Sequence, residues 1–404
     1  MILEAHFFRH EFGRLVAIIS RRVGVQNLEL VEDAVQGAML IALESWTRGG
    51  VPANPSAWLF RVAENQVVAE LRQRTARERL ALTHVTVGNS ELPTAELAGD
   101  VRDDLLRMLF VCCDDSIPRE SQLAIALKTL CGFDIREIAE RLFITEANVY
   151  KRLSRARERL REVPLGDLTP PQLRSRVPAV QAVLYLLFTE GHLSSHADHA
   201  IRRELCDEAI RLGHLLAEHP LGATPVSFAL VALMHLHAAR MTARQDESGG
   251  LLLLEEQDRS AWGQAEIHVG LEWLARSAQG DTFSRYHAEA GIAAEHCLAP
   301  SFAETNWQRI VELYLLLERV TPSPLHTLNR ALAVAEWRGP RAGLAILEGL
   351  EPPSWLTGSY LWMAVLADLH RRSGNAELAR RYREEAVACA PSSAVKEVLL
   401  RRLS

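Results

Sequence analysis

Residues 134–162 read DIREIAERLFITEANVYKRLSRARERLRE, and their spacing sets the local fold. Asp134 with Glu137 three residues later forms a capping box, in which each side chain satisfies a free backbone N–H at a helix start. Behind it Ile135, Ile138, Ala139 and Leu142 recur at helical spacing and predict a buried stripe. A tight turn at Phe143 and Ile144 follows. Thr145 then caps a second helix, whose apolar positions Val149, Leu153, Ala156 and Leu160 pack it on its predecessor. Two short capped helices joined this tightly make a helix-turn-helix pattern.

The outward side of the second helix carries Lys151, Ser154, Arg155 and Arg159, preceded by Asn148 and flanked by Arg152, Arg157 and Arg161. A run of charge is commonly just a solvated face; the capped partner helix sets this one apart. Such a helix fits a DNA major groove, where arginine reads guanine with two hydrogen bonds and basic side chains neutralise phosphates.

Upstream, Val31, Ala34, Val35, Ala38, Met39, Ala42, Leu43 and Trp46 form a second apolar stripe at helical spacing. Opposite lie Asp33, Gln36, Gly37, Leu40 and Glu44, a face that suits either solvent or a docking helix. The loop 47–56 (TRGGVPANPS) breaks this helix, and Ser56 is placed to cap the next, over 57–79. That helix carries Trp58, Phe60, Arg61, Asn65, Arg72, Arg74, Arg77 and Arg79. Beside an irregular loop these supply stacking faces, a base-edge reader and phosphate partners for single-stranded nucleic acid; by composition alone, core aromatics and a solvated basic end fit them better.

Helical periodicity dominates all 404 residues, and no alternating strand pattern emerges, so the class is all-α. The weakly patterned segment 81–100 and a proline-rich stretch with Pro164, Pro170, Pro171 and Pro178 divide the chain into three blocks. The net charge of −6 averages over these blocks and excludes no local basic stripe. Six cysteines without a C-x-x-C pair suggest neither a zinc site nor a disulfide framework, and fit a reducing cytoplasm. The apolar run 179–188 is far short of a membrane span, so no membrane partner is expected.

In the third block the segment 361–391 carries small residues Ala367, Gly374, Ala379 and Ala386 before Pro391, at spacings close to a tetratricopeptide repeat. The segment 325–350 is the next candidate, and the array reads either as a concave binding surface or as structural support. His192, His196 and His199 share a spacing that would suit a metal, but solvated or capping roles fit better. Within EEQDRSAW (255–262), Asp258 and Arg259 are expected to pair with each other. No phosphate loop, nucleophile elbow or metalloprotease signature is present, so no enzymatic activity, cofactor or metal is expected.

These motifs add up to a resemblance. ELVEDAVQGAMLIALESW (29–46) and NPSAWLFRVAENQVVAELRQR (54–74) resemble the core-binding and promoter-melting regions of sigma domain 2, and residues 134–162 resemble sigma domain 4. Their order resembles extracytoplasmic-function (ECF) RNA polymerase sigma factors. YLLFTEGH (185–192), LLLLEEQDRSAW (251–262) and PSPLHTLNRALAVAEWRGP (322–340) are similar to the subgroup with a tetratricopeptide-like extension.

The resemblance implies sigma domain 2 over 1–79, a linker over 80–100, sigma domain 4 over 101–163, a proline-rich linker over 164–178 and a helical regulatory array over 179–404. It implies that Asp33, Gln36 and Leu40 meet the β′ clamp helices of core RNA polymerase, whose β subunit is a further expected contact. Gly37 departs from a glutamate common in the family. Asn54, Ser56, Trp58, Arg61, Asn65 and Arg72 would serve the minus-ten element of promoter DNA, with Glu64 and Glu70 standing where Arg and Asp are more usual. Thr145, Asn148, Lys151, Arg152, Ser154, Arg155 and Arg159 would serve the minus-thirty-five element. The third block would make a protein or intramolecular contact. Two rivals remain: a helix-turn-helix regulator with a sensing domain, for which the face around Leu40 has no use, and a repeat-built adaptor, which would show no promoter preference.

Overall fold

The apolar spacing of the first block produces three packed helices, α1 (Ala5–Val23), α2 (Leu28–Gly49) and α3 (Pro55–Ala81). Val16, Ile19, Val31, Val35, Ala38, Leu59, Ala63 and Val67 interlock in their common core, all essentially inaccessible to water. In this computed structural model the described residues are 5–81, 103–142, 144–162, 169–192, 201–246, 250, 252–351, 353, 356, 359–390 and 393–403. They are all-α, with no β-strand among them. The segment expected as a linker, 80–100, falls almost wholly outside them, as do Phe143, His196 and His199.

The second block contributes α4 (Asp104–Cys112), α5 (Arg119–Thr129), α6 (Ile135–Leu142) and α7 (Glu146–Glu162). Both halves of the capping box form: Glu137 N–H donates to Asp134 Oδ1 and Asp134 N–H to Glu137 Oε2, each at 2.7 Å. Val149, Leu153, Ala156 and Leu160 are buried, as their spacing requires, whereas Ile135 and Leu142 are only half-buried.

Blocks one and two belong to one compact unit, residues 1–190 with 218–222. Gly13 makes the contact possible, because a Cβ there would lie 2.0 Å from the carbonyl oxygen of Leu130. Arg21 reaches across to Asp104 at 2.7 Å.

The proline-rich stretch is not a spacer throughout. From Pro170 it is the start of α8 (Pro170–His192), and Pro178 lies inside that helix. An interior proline costs about 3 kcal/mol, offset here by burial of Leu173, Val177, Val180 and Val183. Arg176, 2% exposed, donates to the Phe110 carbonyl at 3.1 Å and pairs with Asp114. Arg141 likewise meets the fully buried Glu190 at 3.0 Å.

The second unit, residues 191–217 with 223–404, is an array in which successive helices pack on their neighbours: α9 (Arg203–Glu218), α10 (Pro225–Ala238), α11 (Gln264–Ser277), α12 (Arg285–Leu298), α13 (Trp307–Val320), α14 (Pro324–Arg338), α15 (Pro340–Leu347), α16 (Tyr360–Arg372), α17 (Ala376–Ala388) and α18 (Ser393–Arg402). Pro225 and Pro324 take first-turn positions after the caps Thr224 and Ser323. The helix pair expected over 361–391 forms as α16 and α17, turning at Gly374 with φ 83°, and Ala367 and Ala386 are buried between them. The stretch Pro225–Ala243 has the length and hydropathy to cross a membrane, but 61% of it is buried, which marks a core helix.

Asp258 and Arg259 do not pair. Asp258 caps a short turn by accepting from Ser260, while Arg259 donates to the carbonyls of His296 and Ala299 at 2.6 and 2.7 Å. Those carbonyls lie at the end of α12, where backbone acceptors lack intrahelical partners, and a guanidinium satisfies two at once.

Candidate nucleic-acid interface

On α2 the side turned away from the core carries Asp33 and Gln36, both exposed, and Leu40, 62% exposed. Leu43, which its spacing put in the buried stripe, is instead 53% exposed and joins this face. It lies on the margin of the stripe, where a small angular error moves a side chain from core to surface. Gly37 on the same helix faces α3: a Cβ there would stand 2.9 Å from Gln66 Oε1, the far end of a flexible side chain that can move aside.

Helix α3 starts two residues earlier than the cap at Ser56 predicts. Asn54 is the cap, its side-chain oxygen accepting from Ala57 N–H at 3.0 Å, with Pro55 as the first helical residue. Ser56 is half-buried in the first turn. Trp58 is half-buried against Trp46, ring centroids 5.3 Å apart, and Trp46 stacks on Phe8 at 5.9 Å. Further along α3, Arg61, Asn65 and Arg72 are exposed at spacings of four and seven and share one side. Glu64 is held by Arg22, whose guanidinium also lies 4.9 Å from the Phe60 ring.

On α7 Lys151, Ser154, Arg155 and Arg159 are all exposed, as are Thr145 and Asn148 at the helix start. Thr145 acts as the cap, its carbonyl accepting from Asn148 and Val149 N–H. Arg159 pairs with Glu162 at 3.1 Å, whereas Lys151 and Arg155 have no ion-pair partner among the described residues. Arg152 is half-buried and pairs with Glu120 of α5 at 2.8 Å, so its charge is already balanced. Ser154 and Tyr150 border a crevice that also exposes Glu29 of α2.

The opposite flank of α7 closes on the start of α2. Arg157 donates to the buried Glu32 at 2.7 Å, Glu32 also accepts from the Thr129 hydroxyl, and Arg161 pairs with Glu29. These partners lie 97 to 132 residues apart, and no local pattern announces them. Among the described residues no cluster of His, Cys, Asp or Glu could hold a metal. His192, half-buried, packs instead on His237 at 4.8 Å.

Three families match the chain: Sigma-70 region 2 over residues 7–77, Sigma-70 region 4 over 107–160, and a family of unknown function (DUF6596) over 176–278. A Rhizobium meliloti protein described only as uncharacterized is 35% identical over 374 residues, spanning 91% of this chain and 88% of its own. The ECF RNA polymerase sigma factor SigM of Mycobacterium tuberculosis is 30% identical over 156 residues, spanning 38% of this chain and 72% of its own. No solved structure matches.

Proposed function

The chain belongs to the sigma-70 family as an alternative sigma factor related to the ECF type, and from that premise we propose how its parts divide the work of promoter recognition. As a sigma factor it binds core RNA polymerase and promoter DNA, and its family acts in transcription initiation without catalysing the chemistry. In our reading the face of α2 built from Asp33, Gln36, Leu40 and Leu43 docks on the β′ clamp helices. Two exposed leucines beside an acid and an amide supply apolar area for a partner helix and charge to set its register.

The exposed side of α3 then meets the opened minus-ten strand. Asn65 is positioned as the base reader, and Arg61 and Arg72 as phosphate partners. Trp58, tied to Trp46, supports this wall of the helix rather than offering a free ring. On α7, Lys151, Ser154 and Arg155 face the minus-thirty-five major groove, while Arg152 braces the helix through Glu120.

The closed contact between α2 and α7 has a consequence for promoter engagement. Two elements about 25 base pairs apart are separated by roughly 85 Å at about 3.4 Å per pair. A compact unit of this length measures roughly 40 Å across. The pairs of Glu32 with Arg157 and of Glu29 with Arg161 therefore open on a promoter, freeing two more arginines for phosphates. The helical array, which we read as tetratricopeptide-like, modulates that step.

The observation that carries this reading over a polymerase-independent helix-turn-helix regulator is the exposed leucine face of α2. Its test is co-elution with core polymerase of a variant combining Asp33→Arg and Leu40→Asp. Loss of the complex with helicity intact is the expected result, and retained holoenzyme would reject the assignment.

A further inference from the structure

Three arginines gather in the second unit without a carboxylate among them. Arg240 and Arg244 follow the end of α10, and Arg259 lies on the turn before α11. None pairs with an acid among the described residues: Arg259 spends its donors on carbonyls and on Thr305 Oγ1, and Arg244 donates to the His192 carbonyl. Arg240 and Arg259 flank the Trp262 ring at 5.4 and 5.0 Å, and Arg240 Nε is buried with no hydrogen-bond acceptor. Burial first, then neighbouring Arg244, lowers the Arg240 guanidinium to about 10.

His296 stands in the same field. It is 8% exposed, its ring packs on Trp307 at 5.4 Å, and its buried Nδ1 has no partner. Burial and the charges of Arg240 and Arg259 lower it to about 3, so it is a neutral donor or acceptor at pH 7. The adjacent Cys297 thiol is pushed up by burial to about 11 and supplies no counter-charge. Half-buried cations without anions are costly, and a set of them held together by the fold is what an anionic ligand would offset.

A cavity of about 480 Å³ opens onto two of these groups, Arg244 and His296, and lies within the range of small-molecule sites. Arg244 and His296 line it together with an apolar wall that includes Phe302, Trp307, Ile310 and Leu332. The final helix, α18, contributes Val395, Val398 and Leu399. The acids that also reach the cavity are each balanced by an arginine: Glu255 by Arg402, Glu336 by Arg372 and Asp368 by Arg371. What remains uncompensated is positive.

We propose that this cavity is a binding site for an amphipathic small-molecule anion, its carboxylate or equivalent headgroup held by Arg244 and His296 and its hydrocarbon body lying against Trp307, Ile310 and Leu332. Arg240 and Arg259 stand behind them as a field that favours the anion over a neutral analogue. The inference concerns binding by the free chain and holds independently of how the first unit meets polymerase or promoter.

Titration calorimetry of the full chain tests it with octanoate and with octanamide, which matches it in shape but lacks the charge. The expected result is saturable binding of one octanoate per chain, at least tenfold tighter than octanamide. Arg244→Gln should remove that preference by weakening octanoate at least tenfold, with octanamide unchanged. No saturable octanoate binding, or equal affinity for the two compounds, overturns the proposal. Those outcomes are read on the unaltered chain and stay decisive even if the variant fails to fold.

Discussion

Replacing Glu32 by glutamine removes one charge and almost no volume from the contact between α2 and α7. The Glu32 carboxylate is 5% exposed and accepts from both the fully buried Thr129 hydroxyl and Arg157. A glutamine keeps one acceptor for Thr129 but turns a donor toward the guanidinium. A hydrogen bond to a charged group contributes about 1.5–3 kcal/mol. Arg157 is 26% exposed and retains Glu29 at 3.9 Å, so solvent screening reduces the loss to about 1–2 kcal/mol. The closed arrangement should then be disfavoured by a factor of about 5 to 30. Spin labels placed at Arg77 on α3 and Arg159 on α7 read the outcome as a distance distribution. Glu32→Gln should shift it toward longer separations and speed promoter engagement by holoenzyme. A distribution unchanged in Glu32→Gln and in the double variant with Glu29→Gln, both folded, would refute the view that these pairs hold the modules closed.

Arg155→Ala should weaken binding to duplex minus-thirty-five DNA by about 1–3 kcal/mol, measured by fluorescence anisotropy; unchanged affinity removes Arg155 from the reading face. Gly13→Ala forces a Cβ onto the Leu130 carbonyl, and should cost about 1–3 kcal/mol in chemical denaturation of the first unit. Burial, then the charge of Arg240, lowers His237 to about 3, as burial also does His296. The unfolded chain takes up these protons near pH 6.5 while the folded array does not, so their contribution is fully present above that pH. It is lost progressively as pH falls from 6.5 toward 3, at up to about 1.4 kcal/mol per pH unit for each ring. Thermal melting of the array between pH 7 and 5 should follow that slope, and a flat profile would show that the rings protonate without unfolding.

The helix-turn-helix was legible because everything that defines it is local: one capping box, one threonine cap and an apolar stripe within 29 residues. The start of α3 was missed by two residues because Ser56 is an acceptable cap, but Pro55 needs no N–H donor and takes the first helical position. Trp58 has the composition of a stacking face, and only the neighbouring Trp46 shows it is engaged. The roles of Arg157 and Arg161 depended on acids more than a hundred residues away. The arginine set around Trp262 was invisible for the converse reason. Sequence shows charges but not which of them lack a partner, and the nearest acid in the chain, Asp258, turned to its own helical turn.

Run-off transcription with purified core polymerase is the most direct test of the central claim that the first unit carries polymerase to a two-element promoter. Templates bearing random upstream sequences let the chain select its own promoter. Discrete starts that need the chain are expected, with enriched motifs at both elements, and those starts should be lost in the Asp33→Arg, Leu40→Asp variant. Transcription that is no different with or without the folded chain, and no association with core polymerase at low salt, would contradict that claim.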